Sequence, residues 1–261
     1  SILACAPSLP ALRPCSVLKR AVFFKKMHQM HDRVACSRKF DAVLFDLDDC
    51  LYRSAAIVLR VRFLIDEFME KRLGFQPNEI PEKRSQFYTD HGTTLAGLVH
   101  AGYKIDYDEW HEFVHGGIDY DSEIRKDEVL EEIVSSIDLP KYVFTNADRQ
   151  HADKCLKLLG VGHLFEDVIC FESMKEAADA RGLDTTSQVV CKPSRDAFLL
   201  AAEHVGVKCD RLAFLDDSVR NIIGARSCGI YSILVGSNAE SADRSVDDLH
   251  KLREAVPELW Q

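Results

Sequence analysis

The sequence predicts an α/β protein, with a parallel sheet covered by helices on both faces and a helical segment inserted after the first strand. Three observations predict it. Short, wholly apolar runs recur, and each stops at a polar or acidic residue, which is how a strand buried on both faces reads. Amphipathic stretches of helical length alternate with these runs and carry their own start and stop signals. A stretch of about eighty residues between the first run and the second reads mainly as helix, too long for a loop in a compact domain.

The first strand is Ala42-Val43-Leu44-Phe45, ending at Asp46. In the insertion, Ser54 is expected to cap a helix whose apolar stripe is Ile57, Val61, Leu64, Ile65 and Phe68, with Gly74 beyond its end. Tyr103, Tyr107, Trp110 and Phe113 follow. Aromatic residues at this spacing pack a core more often than they stack a ligand base. The second strand is Tyr142-Val143-Phe144 before Thr145, followed by a helix from His151 to Leu159 that Gly160 stops. Val168 to Phe171, ending at Glu172, reads as a shorter strand. Ser194 caps a helix through Ala197, Phe198, Ala201 and Val205, with Gly206 after it. Leu212 to Leu215 before Asp216 is the next strand. Val219, Ile222, Ile223 and Ala225 share one face of a helix ending near Gly229. Tyr231 to Val235 is a last strand before Gly236. Such a Rossmann-like sheet binds ligands beyond the carboxyl ends of its strands. The expected division is an N-terminal extension (1–35), a Rossmann-like core (36–51 with 136–261) and a helical cap domain (52–135).

A chain of 261 residues can bury a substantial core, and 46% hydrophobic with 29% charged content is ordinary for a globular protein. The net charge of -9 leaves no basic footprint for a nucleic acid polymer. It is compatible with one small phosphate ester, whose charge a metal ion and a lysine can meet. No apolar run approaches the roughly 18 residues that span a bilayer, so no membrane partner is expected. The nine cysteines are scattered and never spaced C-x-x-C, which argues for reduced thiols rather than a disulfide framework or a zinc site. Residues 1–31 lack Asp and Glu but carry Arg13, Lys19, Arg20, Lys25 and Lys26, the composition of an organellar transit peptide. An upstream stretch of gene prediction before Met27 or Met30 would read the same. The expected location is cytoplasmic, or plastid or mitochondrion if the leader is a transit peptide. Nothing in the sequence bears on oligomeric state.

The chemistry lies at the strand ends. Asp46 and Asp48 can divide labour, one as nucleophile and the other as acid and base. Asp49 reads as a turn residue. Thr145 and Asn146 offer a hydroxyl and an amide to phosphoryl oxygens. Lys192, in Cys191-Lys192-Pro193-Ser194, precedes a predicted helix. Asp216 and Asp217, followed by Ser218 and Asn221, add two more acids. With Asp46 and Asp48 they give the all-oxygen shell that Mg²⁺ prefers. Each piece alone is a common strand-end feature. All four in order are not.

This order resembles the phosphatase branch of the haloacid dehalogenase-like superfamily, over roughly Phe40 to Gly236. Phe45-Asp46-Leu47-Asp48-Asp49-Cys50-Leu51-Tyr52-Arg53-Ser54 is similar to the first motif of the pyrimidine 5′-nucleotidase group of fungi and plants. Val143 to Asp148, Cys191 to Ser194, Phe214 to Asn221 and the segment His91 to Leu98 resemble that group as well. Cys50 departs from the broad pattern, where Thr or Val is commoner.

The resemblance implies a Mg²⁺-dependent phosphoric monoester hydrolase acting on a small phosphorylated metabolite. A nucleoside 5′-monophosphate is expected, UMP or CMP or a purine such as XMP. Asp46 would form an aspartyl-phosphate, and Asp48 would protonate the leaving alkoxide and then activate water. Thr145 and Lys192 would hold the phosphoryl group, with Asn146, Ser218 and Asn221 near the substrate. Asp46, the backbone carbonyl of Asp48, Asp217 and Asp216 (direct or through water) would hold the metal. Other readings stay open: a sugar phosphomutase, a phosphatase of another ester or of a protein, and a non-catalytic binding protein on the same fold. A dehalogenase would leave Asp48, Asp216 and Asp217 without a task. His91, His100, His111 and His115 are expected to be surface or structural.

Overall fold

The computed structural model describes residues 39–261, so the expected N-terminal extension lies outside the described residues. Six strands form one wholly parallel sheet: β1 (Ala42–Phe45), β2 (Lys141–Phe144), β3 (Asp167–Ile169), β4 (Leu212–Asp216), β5 (Tyr231–Val235) and β6 (Arg244–Val246). Their order is β3-β2-β1-β4-β5-β6. The chain winds outward from β1 through β2 and β3, then returns to β1's other side with β4. That reversal opens a crevice at the carboxyl ends of β1 and β4, where doubly wound sheets bind ligands.

The pleat sorts the apolar runs onto two faces. Val43, Phe45, Val143, Ala213, Leu215 and Ile233 enter one buried cluster. Ala42, Leu44, Phe144, Ile169, Phe214 and Leu234 enter the other. Both faces are therefore covered, as continuous rather than alternating hydrophobicity requires.

Between β1 and β2 stand six helices: α1 (Ala55–Leu73), α2 (Ile80–His91), α3 (Thr94–His100), α4 (Tyr107–His115), α5 (Tyr120–Glu123) and α6 (Glu128–Ser135). Ser54 caps α1 by accepting the N–H of Ile57, and Gly74 ends it in the left-handed conformation. Ile57, Leu64 and Phe68 of the stripe are buried. Phe68, Met69, Leu98, Trp110 and Val114 form a third cluster, with Phe68 and Trp110 edge to face at 4.9 Å. Most of the insert's aromatic residues thus do pack a core.

The remaining helices are α7 (Arg149–Leu159), α8 (Phe171–Ala180), α9 (Arg195–Val205), α10 (Val219–Ser227) and α11 (Leu252–Ala255). Ser194 caps α9 through the N–H of Ala197, and Gly160 and Gly206 close α7 and α9. Two readings need correction. The third strand ends at Ile169, because Cys170 and Ser173 form a reciprocal cap that turns Phe171 and Glu172 into the first turn of α8. The edge strand β6, three residues after a polar stretch, was not anticipated. No helix among the described residues is long and apolar enough to cross a membrane. Cys50, Cys155, Cys170 and Cys191 are buried free thiols, and Cys209 and Cys228 are partly exposed ones.

Candidate active site

Parallel pairing sets Phe45 opposite Leu215, so Asp46 and Asp216 emerge side by side. Lys192 reaches between them. Its Nζ donates to Asp46 Oδ1 at 2.7 Å, Asp216 Oδ2 at 2.8 Å and the carbonyl of Phe144 at 2.7 Å, and it is only 1% exposed. All three ammonium protons are satisfied, which is the condition for burying a lysine. Burial opposes its charge, but Asp216 and Asp46 outweigh burial and hold its pKa above the ordinary lysine value. Asn146 fixes the backbone that carries it. The Asn146 amide donates to the Lys192 carbonyl at 3.0 Å and accepts the Lys192 N–H at 2.9 Å. Gly92 presses on the same peptide from the helical insert. A Cβ there would lie 2.3 Å from the Lys192 carbonyl oxygen, and its φ of +90° suits glycine alone.

One ammonium cannot balance the acids around it. Burial and Asp216 raise Asp46 well above the carboxylate range against the pull of Lys192. Burial, with Asp216 and Asp49, raises Asp217 to about 7. Carboxylate oxygens of Asp46, Asp216 and Asp217 lie within 4.8 Å of one another. An all-oxygen set with surplus negative charge fits a hard divalent cation such as Mg²⁺. The two adjacent acids differ in what they have left to offer. Asp216, fully buried, accepts Ser218 N–H on Oδ1, Lys192 on Oδ2, and Asn221 Nδ2 at 3.0 Å from each oxygen. Asp217 is half-buried, lines the cavity and has its carboxylate near its own backbone N–H. Asn221, expected at the substrate, commits its amide to Asp216. Asn146 likewise commits both amide ends to Lys192. Ser218 contributes its N–H to Asp216 while lining the cavity. Thr145, 2% exposed, accepts Ala147 N–H on its hydroxyl and keeps its own proton free to donate.

After β1 the chain turns sharply. Leu51 N–H bonds the carbonyl of Leu47, and Asp49 takes the left-handed conformation (φ 56°) that Asp tolerates. The turn directs the Asp48 carboxylate away from the Lys192 cluster. Its Oδ1 accepts His151 Nε2 at 2.8 Å and the Tyr52 hydroxyl in a short hydrogen bond. Burial alone would raise Asp48, but these partners, His151 foremost, lower it to about 2.

These groups floor a cavity of about 620 Å³ whose upper wall comes from the insert, including Tyr88, Trp110 and His111. His111 and His115, one turn apart on α4, both face Asp148 at the start of α7, and His115 Nδ1 makes a short hydrogen bond to its Oδ2. His111 and His115 therefore belong to the cavity wall, half-buried against Asp148 rather than on the open surface, in line with the structural alternative of the expectation. Burial pushes Asp148 up, yet His111 and His115 keep it well below the carboxylate range. Burial keeps His115 below the ordinary histidine value despite Asp148. His111, His115 and Asp148 also lie close enough to share an ion. The carboxylate is already taken, though, by His115 and by the N–H of His151. Sequence reading missed Tyr52, Asp148 and His151. The available signals were Tyr52 one turn beyond Asp48, and Asp148 as the cap residue three before His151.

The sequence profile of the haloacid dehalogenase-like hydrolases matches residues 40–229. Phosphate metabolism protein 8 of Saccharomyces cerevisiae is 24% identical over 199 residues, 73% of this chain and 60% of that protein. The chain thus spans about 60% of the length of this curated relative. A HAD phosphatase from Thermococcus onnurineus superposes with a TM-score of 0.54 at 19% identity, covering 82% of this chain and 97% of that one. A putative HAD hydrolase from Bacillus subtilis, solved bound to magnesium, gives 0.50 at 18% identity over 83% and 98%. These structural likenesses are likenesses of fold. The profile match spans most of the chain, and with it the strand-end acids, so this chain belongs to the haloacid dehalogenase-like hydrolases.

Proposed function

We propose that the protein is a Mg²⁺-dependent phosphomonoesterase that works through an aspartyl-phosphate on Asp46. The observation that carries the proposal is Asp46 held by a buried lysine at the carboxyl edge of the sheet, with a second carboxylate, Asp48, two residues on and outside that lysine's reach.

Asp46 attacks phosphorus in line and Asp48 gives a proton to the departing alkoxide. Asp48 then takes a proton from the water that cleaves the acyl phosphate. At rest Asp48 is ionised; a phosphate dianion beside it disfavours that charge and promotes protonation. Lys192 and the free hydroxyl proton of Thr145 bind phosphoryl oxygens, and Asn146 keeps Lys192 in place. Mg²⁺ would be held by Asp46, the backbone carbonyl of Asp48 and Asp217, and when bound it neutralises charge on the transferring group. The saturated oxygens of Asp216 support a bracing part for it, with any metal contact through water. Asn221 then acts by fixing Asp216, and Ser218 lies at the cavity edge. A dehalogenase would need neither Asp48 nor the paired acids.

The substrate class we propose is a nucleoside 5′-monophosphate. A cavity of about 620 Å³ suits a ligand of that size, and the exposed ring of Tyr88 on its wall can meet a base. Asp46, Asp48 and the insert together support a division into a core and a cap that decides what enters. Phosphate release from nucleoside monophosphates, sugar phosphates and phosphoglycolate, with Mg²⁺ and with EDTA, tests the proposal. Metal-dependent release concentrated on one nucleotide class is expected. Release spread over unrelated esters removes the nucleotide, and silence from folded protein removes the phosphatase.

A further inference from the structure

Asp48 is held more firmly than a strand-end acid requires. Its side chain is 40% exposed to the cavity, yet both of its hydrogen bonds, from His151 and Tyr52, fall on Oδ1. His151 is 3% exposed and fixed on every side. Its Nδ1 lies 2.8 Å from the Tyr120 hydroxyl, its N–H donates to Asp148 Oδ1 at 3.0 Å, and the His115 ring packs on it at 4.5 Å. A carboxylate offers no proton, so Nε2 must carry the hydrogen of the 2.8 Å contact, while the Tyr120 hydroxyl can donate to the His115 carbonyl at 3.3 Å and stand against Nδ1. The three anchors come from different elements: Tyr52 before α1, Tyr120 from α5 and His151 from α7.

We propose that His151 and Tyr52 are positioning residues that immobilise Oδ1 of Asp48, making Oδ2 the atom that delivers and recovers the proton. This rests on the phosphatase reading above. As Asp46 bonds to phosphorus, the bond from phosphorus to the ester oxygen breaks and its electron pair stays on that oxygen. The oxygen takes the proton from Oδ2, leaving Asp48 a carboxylate. In hydrolysis of the acyl phosphate, Oδ2 accepts a proton from water as the water oxygen bonds to phosphorus. The bond from Asp46 to phosphorus breaks, its electron pair returning to the Asp46 carboxylate. Loss of the Oδ2 proton to solvent as phosphate leaves returns Asp48 to its ionised resting state. With two donors on Oδ1, rotation of the carboxylate is blocked and Oδ2 keeps one direction, the near-attack geometry that proton transfer needs.

The need for that proton depends on the leaving group. An alkoxide cannot depart without it, whereas p-nitrophenolate can. The test measures kcat/KM, which reports steps through enzyme phosphorylation, for the alkyl phosphate cleaved best and for p-nitrophenyl phosphate. It compares wild type with Tyr52→Phe, His151→Leu and His151→Gln. The expected result is that the alkyl-to-aryl ratio falls tenfold or more in Tyr52→Phe and His151→Leu. His151→Gln, whose amide can donate from near the Nε2 position, restores most of it. Equal losses on both esters, or an unchanged ratio, overturn the proposal. Tyr52→Phe removes only a hydroxyl, so its ratio decides the question even if His151→Leu does not fold. A wild type that cleaves neither ester overturns the phosphatase reading and this inference with it; an active wild type with unmoved variant ratios overturns the inference alone.

Discussion

At the scale of single residues, the site is organised by a lysine that is almost wholly buried and fully hydrogen-bonded. Truncating one partner of such a cluster leaves uncompensated buried charge. Lys192→Met should lower the unfolding free energy by about 3–5 kcal/mol in urea denaturation as well as abolish turnover. The neighbouring acids should separate. Asp217→Asn keeps an oxygen for the residue's own backbone N–H, so its stability should stay within about 1 kcal/mol of wild type while the Mg²⁺ requirement rises tenfold or more. In wild type, Mg²⁺ at about 100 times its Kd should add roughly 2.7 kcal/mol of stability, because it binds only the folded site. This increment should shrink in Asp217→Asn, and thermal melts with and without the ion read it independently of activity. Asp46, Asp48, Thr145, Lys192, Asp216 and Asp217 were legible in the sequence because each stands directly after an apolar run or before a predicted helix. His151 was not. Its contact with Asp48 spans 103 positions, and nothing local distinguishes it from any histidine in the first turn of a helix.

At the scale of elements, two joints tie the helical insert to the sheet. One is Gly92 against Lys192. Gly92→Ala adds both left-handed strain and a Cβ against a backbone carbonyl, so a loss of about 2–5 kcal/mol is expected, with Lys192 displaced. Denaturation and activity measured together check it, and a variant with wild-type stability would contradict the described packing. The other joint is His115 on Asp148, faced also by His111 and His151. Burial holds His115 below the ordinary histidine pKa, so the unfolded chain takes up that proton first as pH falls. Its contribution is complete above about 6.5 and is lost as pH drops through that value toward the folded one. Asp148, held well below the carboxylate range, contributes above about 3.9 and loses that only in stronger acid. His115→Gln keeps a donor for Asp148 but cannot titrate, so its unfolding free energy should fall less steeply than wild type between about pH 7 and 5. Parallel slopes would place the titration elsewhere. The long strands and capped helices were readable from apolar runs and from Ser54, Ser194, Gly74, Gly160 and Gly206. β6 was not, because three residues at a sheet edge carry too little pattern. The start of α8 was hidden because Cys170 and Phe171 continue the apolar run of β3.

At the scale of the whole molecule, the parallel sheet carries the strand-end acids and the helical insert roofs them. This explains why the fold and the candidate acids were legible together while the ligand was not. Strand-end acids declare themselves locally, but the cavity wall is assembled from distant side chains such as Tyr88, Trp110, His111 and Phe171. Everything proposed for the site turns on covalent phosphorylation of Asp46. Acid-quenching the enzyme during turnover of its best ester and reducing with borohydride converts an aspartyl-phosphate to homoserine. Peptide mass spectrometry should then find homoserine at position 46 only when ester and Mg²⁺ are both present, and nowhere in Asp46→Asn. Full turnover with position 46 remaining aspartate at every quench time, or homoserine at another acid, would rule the Asp46 intermediate out.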